Sequence, residues 1–186
     1  RFYHRQLAGS DAARAYLDNR GVDESIREQF GIGYAPDGFG ALKDALGKDE
    51  RALRLLEKTG MLSRNDRGNV YDKFRDRVMF PIADRRGRTI AFGGRVLGKS
   101  DGPKYLNSPE TPLFHKGREL YGLWQARQAN RELTRLIVVE GYMDVIALFQ
   151  HGITQAVATL GTATTPDHAE LLFRSAPDVY FCFDGD

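Results

Sequence analysis

Leu136-Ile137-Val138-Val139 runs straight into Glu140, and farther along Val179-Tyr180-Phe181-Cys182-Phe183 runs into Asp184-Gly185-Asp186. Each is a short apolar run with the pattern of a buried strand, and each ends on acid. Between them Met143 to Gln150 reads as a helix closed by Gly152, Ala156 to Leu160 as a strand, and Pro166 to Arg174 as a helix capped from Thr165. Short apolar strands alternating with helices imply a parallel sheet with right-handed crossovers, a βαβαβ unit. Ligands bind at the carboxyl ends of strands in such open sheets, so Glu140, Asp184 and Asp186 read as one converging cluster. Ala169, Leu172, Phe173 and Ala176 follow helical spacing and are expected to face the sheet. Cys182, inside an apolar strand, is expected in the core.

Electrostatics says what such a cluster is for. Two carboxylates about 5 Å apart at an effective dielectric near 20 repel by about 3 kcal/mol, so the group must take up a proton, splay or bind a cation. Oxygen ligands with no Cys or His pair nearby favour Mg²⁺ or Mn²⁺ over zinc. Asp-Gly-Asp alone would be an ordinary solvated turn. Its coupling to Glu140 across the sheet is what points to metal.

The 186 residues, 41% apolar and 11% aromatic, suffice for a packed core in one large or two small domains. A single cysteine excludes an internal disulfide and a Cys-based zinc site within the chain. No apolar run approaches the roughly 18 residues of a membrane span, and Arg1-Phe2-Tyr3-His4-Arg5-Gln6 is no secretory leader, so a cytoplasmic location without membrane contact is expected. The net charge of +2 conceals a division: residues 64–118 hold 13 Lys/Arg against 6 Asp/Glu, and the remainder 14 against 19. A basic block interleaved with aromatics and amides, followed by an acid cluster, suits a metal enzyme that handles a polyanion, nucleic acid above all.

The first sixty residues read as helical scaffold. Ser10-Asp11 caps a helix through Ala12 to Asn19, Asp23 caps another that places Ile26 and Phe30 inward, and Ala41 to Leu46 and Glu50 to Lys58 follow. Val78 to Ile82 and Thr89 to Leu97 read as a hairpin about Asp84-Arg85-Arg86-Gly87-Arg88, with Pro81 marking an edge or bulge. Residues 98–118, with three prolines, are expected to form an ordered surface loop. No P-loop and no strand-borne G-x-G-x-x-G occurs, the four histidines lack metal-ligand spacing, and no Ser or Cys sits on a nucleophile elbow.

Val138-Val139-Glu140-Gly141-Tyr142-Met143-Asp144-Val145, Ala158-Thr159-Leu160-Gly161-Thr162 and Phe183-Asp184-Gly185-Asp186 together resemble the TOPRIM domain of bacterial DnaG-type primases. The resemblance extends upstream through Lys73 to Ile82, Phe92 to Leu97, Lys104 to Thr111, His115-Lys116-Gly117 and Leu120-Tyr121-Gly122-Leu123, so it covers essentially the whole chain. It implies an α/β chain with a mixed α+β N-terminal subdomain over 1–133 and the first part of a TOPRIM-type βαβαβ parallel sheet over 134–186, cut short after the Asp-x-Asp motif. The implied activity is DNA-templated synthesis of short RNA primers from ribonucleoside triphosphates.

By position, the resemblance implies Glu140, Asp184 and Asp186 as catalytic residues and metal ligands, with Asp144 either a further acid at the site or a cap of its helix. Arg20, Arg95, Lys104, Tyr105, Asn107 and Lys116 match positions that contact template strand or incoming nucleotide. Arg75 and Arg77 are further candidates for such contacts, with Asp72 and Asp76 as alternative neutralising partners. The implied cofactor is Mg²⁺ or Mn²⁺, with zinc confined to a family domain absent from this chain. Partners are a single-stranded DNA template, ribonucleoside triphosphates and, through a C-terminal domain also absent, the replicative helicase. A fragment of the catalytic core is expected to make little or no primer by itself. TOPRIM domains also occur in nucleases, topoisomerases and non-enzymatic single-strand-binding scaffolds, and those readings stay open at this level.

Overall fold

Ser10 opens a helix by accepting a hydrogen bond from the Ala13 N–H at 3.2 Å, the cap expected of it. The computed structural model describes residues 1–98 and 102–185. The chain runs α1 (Phe2–Ala8), α2 (Asp11–Asn19), α3 (Glu24–Gln29), β1 (Gly33–Ala35), α4 (Ala41–Leu46), α5 (Glu50–Lys58), β2 (Leu62–Arg64), β3 (Val70–Asp72), β4 (Arg77–Ala83), β5 (Thr89–Val96) and β6 (Tyr105–Asn107). It continues through a 3₁₀ turn (Lys116–Arg118), α6 (Leu123–Ala129), β7 (Arg135–Val139), α7 (Tyr142–Gln150), β8 (Ala156–Ala158), α8 (Pro166–Ser175) and β9 (Asp178–Phe181). Two compact units result: one holds 1–21, 31–81 and 91–113, the other 22–30, 82–90 and 114–186.

In the first unit β1 pairs antiparallel with β4 and β6 with β5, in the strand order β1-β4-β5-β6. Tyr3, Ala35, Leu42, Met61, Phe74 and Met79 form a core. Helix α1 approaches β1 so closely that a Cβ on Gly33 would stand 2.5 Å from the Tyr3 carbonyl carbon. Asp72, buried at the end of β3, accepts from the Leu42 and Lys43 N–H groups at 2.7 and 2.9 Å and so caps α4. Strand β4 is interior, not the edge that Pro81 suggested, but its pairing with β1 ends at Met79, so Pro81 costs no bond to β1. The loop expected over 98–118 contains β6, whose Tyr105, Leu106 and Asn107 stand opposite Arg95, Gly94 and Gly93. Three residues between Pro103 and Pro109 are too short a run to show a strand period.

The second unit carries the expected βαβαβ. Strand β7 lies between β8 and β9 and is parallel to both, with α7 and α8 as the crossovers. Leu136, Val138, Val157, Leu171, Leu172 and Ala176 make the core at this sheet, and Thr165 caps α8 by accepting from the His168 N–H at 3.0 Å. Three expectations are overturned. Phe173 is exposed, because the buried face of α8 runs through His168, Leu171 and Leu172, one step around the helix. The apolar run through β9 is not buried: Tyr180 and Phe181 in the strand and Phe183 beyond it are 50–56% exposed, and Cys182 is exposed too, while Val179 alone packs partly against the core. Among the described residues β9 pairs with β7 alone and so forms an edge of this sheet, and an apolar run does not by itself bring cover. No helix among the described residues is long and apolar enough to cross a membrane.

Candidate active site and nucleic-acid-binding residues

Parallel pairing brings two of the expected acids together. Val138 stands opposite Phe181, the Cys182 N–H donates to the Val138 carbonyl at 2.9 Å, and two residues on the Asp184 N–H donates to Glu140 Oε1 at 2.7 Å. Both side chains come from carboxyl ends of neighbouring strands, and both residues are exposed. Asp186 lies outside the described residues. Among the described residues no three His, Cys, Asp or Glu side chains are grouped as a metal site. The donor set that Glu140 and Asp184 offer is all oxygen, which fits a hard divalent cation.

Asp144 acts as a cap. Its Oδ2 accepts from the Gly141 N–H at 3.0 Å, satisfying a donor that α7 would otherwise leave open at its N-terminus. Replacing Asp144 with Ala is therefore expected to lower stability by about 1 kcal/mol, read as a lower urea midpoint at unchanged slope.

In the first unit, two expected binding residues, Arg20 and Arg95, flank a residue that the motifs did not include. The Arg95 guanidinium carbon lies 4.4 Å, and that of Arg20 5.5 Å, from the centre of the Tyr16 ring. Arg95 stands opposite Tyr105 in the β5–β6 register, and Lys104 Nζ lies 5.9 Å from the Tyr105 ring centre. Burial pushes the Tyr16 phenol above its ordinary range, against the pull of Arg95 and Arg20, so Tyr16 is present as a neutral ring. Asn107 stands opposite Gly93 on the same strand pair.

Arg77 has another task. It is 4% exposed and donates to the carbonyls of Gly94 at 3.1 Å, Pro103 at 2.9 Å and Lys104 at 3.4 Å, tying down the segment that carries Lys104. A Cβ on Gly94 would stand 3.0 Å from Arg77 Cδ and from the Phe74 ring, so glycine leaves this guanidinium its space. Burial and the Arg75 charge lower the Arg77 proton affinity, and Asp76 opposes them. Arg75 stacks over Phe39 and Tyr71 at 4.7 and 5.3 Å and donates to the Asp72 carbonyl at 2.7 Å. The acids expected to neutralise this pair are otherwise engaged: Asp72 caps α4, while Asp76 accepts from Tyr34 Oη at 2.9 Å and the Gly98 N–H at 3.1 Å.

Lys116, in the second unit, is held from behind by the start of α8. His168 is fully buried; its Nδ1 accepts from the Thr165 N–H at 3.2 Å, so Nε2–H donates to the carbonyls of Lys116 and Glu119 at 2.9 and 3.0 Å. The Thr165 hydroxyl donates to the Gly117 carbonyl at 2.6 Å. Neither residue carries a sequence signal beyond an ordinary helix cap, and their use becomes visible only in three dimensions.

Residues 2–127 match the model of the DNA primase catalytic core, N-terminal domain, and residues 134–186 match that of the Toprim domain. The chain is 58% identical to DNA primase of Pseudomonas aeruginosa and 54% identical to that of Escherichia coli K12, over its whole length in each case. It spans 28% and 32% of those two relatives. Among solved structures it is similar to the Escherichia coli primase catalytic core (TM-score 0.94, 54% identity, all of this chain and 59% of that one). It is also similar to a DnaG primase catalytic domain bound to single-stranded DNA (TM-score 0.93, 54% identity, all of this chain and 58% of that one).

Proposed function

The chain belongs to the bacterial DnaG-type DNA primase family, and from that premise we propose that it is part of an enzyme that copies single-stranded DNA into short RNA primers from ribonucleoside triphosphates. The observation that carries this reading is the hydrogen bond from the Asp184 backbone N–H to the Glu140 carboxylate, which supports a shared site at the two strand ends. In the reaction a ribose 3′-hydroxyl attacks the α-phosphorus of the incoming nucleotide, its proton leaves, and pyrophosphate departs. No protein nucleophile is needed, in keeping with a chain that has no nucleophile elbow.

In this proposal Glu140, Asp184 and Asp186 hold Mg²⁺ or Mn²⁺. Such an ion, when bound, lowers the hydroxyl's pKa and neutralises charge on the phosphates. Glu140, anchored through Oε1, offers Oε2 to ligand or proton. Arg20, Arg95, Lys104, Tyr105, Asn107 and Lys116 would supply cation and ring contacts to template or nucleotide phosphates and bases. Support for a single-stranded template comes from the related catalytic domain bound to single-stranded DNA. The division at 1–133 and 134–186 belongs to the same proposal, supported by family matches ending at 127 and starting at 134. So does action in the cytoplasm.

The test is direct. The intact protein, given a single-stranded template and labelled ribonucleoside triphosphates in Mg²⁺, is expected to form short oligoribonucleotides; chelation should stop synthesis and added Mn²⁺ or Mg²⁺ should restore it. Synthesis that continues undiminished in excess chelator would overturn the reading.

A further inference from the structure

Tyr16 lies outside the motifs quoted above for the resemblance, and its ring lies against two of the candidate arginines. Tyr16 and Arg20 are four residues apart at the end of α2, where such pairs share a helix face. Arg95 reaches the same ring from β5 and lies closer, 4.4 Å against 5.5 Å. Its NH1 donates to the Val96 carbonyl at 2.8 Å, and its Nε is shut off from solvent with no hydrogen-bond partner.

We propose that Tyr16 is a positioning residue, whose ring holds Arg20 and Arg95 in place for single-stranded nucleic acid. The inference rests on the nucleic-acid reading of those two arginines. Two guanidinium groups near one another repel, and each side chain has rotamer freedom to lose when it engages a phosphate. The negative face of an aromatic ring lowers the first cost and meets the second before the ligand arrives. Because the phenol is neutral and the attraction comes from the ring, phenylalanine should serve as well as tyrosine. An aliphatic side chain of similar bulk should not.

The experiment follows the binding of a fluorescein-labelled oligothymidylate to the intact protein by anisotropy. Tyr16→Phe is expected to bind within about twofold of the parent, and Tyr16→Leu to bind about three- to tenfold more weakly, the range of one to two cation–π contacts. In a background carrying both Arg20→Ala and Arg95→Ala, Tyr16→Leu should have no further effect. An equal loss in both backgrounds, or no loss in the parent, overturns the proposal and leaves Tyr16 as packing for α2. The nucleic-acid reading fails separately, if the double arginine variant binds as tightly as the parent.

A second series keeps the shape of the ring and so does not depend on Tyr16→Leu folding. Phenylalanine at 16 is replaced by fluorinated phenylalanines, which drain the ring face in steps. Affinity that falls with each fluorine supports the proposal, and a flat series overturns it.

Discussion

Glu140→Gln is expected to reduce primer synthesis by the intact protein by about a hundredfold or more, the scale of losing an acid–base group or a metal-binding charge, and to leave affinity for single-stranded DNA unchanged. The substitution is chosen for what it preserves. A glutamine amide oxygen can still accept from the Asp184 N–H, which Glu140 Oε1 does at 2.7 Å, so β7 and β9 should end as they do now. Only the negative charge and the second acceptor oxygen are lost. Synthesis is measured as labelled oligoribonucleotide per unit time at saturating template, and binding by anisotropy. Full synthesis by the variant would remove Glu140 from the chemistry. A parallel loss of binding would mean that the residue serves the template. Only loss of synthesis with binding intact separates an enzyme from a binding scaffold built on the same sheet.

The acids at 140 and 184 could be read from sequence because parallel strands leave a strong mark. Leu136-Ile137-Val138-Val139 is a short apolar run, three of its four residues β-branched, which reads as a buried strand, and whatever follows a strand end is delivered to the same rim of the sheet. The helix caps at Ser10 and Thr165 were equally plain, since they act over three residues. What stayed hidden depends on contacts remote in sequence. Strand β6 exists because β5 gives Tyr105-Leu106-Asn107 something to pair with, and no local pattern marks three residues between prolines. Tyr16 and His168 read locally as one more ring and one more polar helix residue. Their meaning comes from Arg95 and from the Lys116 carbonyl, each far along the chain. Phe173 and the face of β9 failed for a different reason: apolar spacing says which residues could be buried, while cover depends on which neighbours arrive. Arg77 is the instructive case among the cations, because charge composition counts it with the basic block while burial removes it from the surface.

That burial gives the largest stability effect we expect from one polar side chain. In Arg77→Met the aliphatic bulk is kept and the guanidinium is lost, so the carbonyls of Gly94 and Pro103 lose this donor and that of Lys104 keeps only the Val96 N–H. Hydrogen bonds to a charged group are worth about 1.5–3 kcal/mol, so a loss of about 3 kcal/mol is expected, seen as a lower denaturant midpoint. Lysine at 77 should recover little, since an ammonium cannot reproduce a planar fork spanning separate carbonyls. A functional consequence follows from the same bonds. Lys104 is exposed, and its backbone is fixed by Arg77 and by the Val96 N–H, which donates to its carbonyl at 3.0 Å. With the Arg77 tie gone, the Lys104 ammonium should be lost as an effective phosphate contact. Under conditions where the variant is folded, single-strand binding should then weaken and its salt slope flatten by about one unit, as expected for Lys104→Ala itself. Lys104→Ala added to Arg77→Met should change the slope no further. If that second substitution still lowers it by the full amount, Lys104 is placed by something other than Arg77, and the link drawn between a buried guanidinium and a surface contact is wrong.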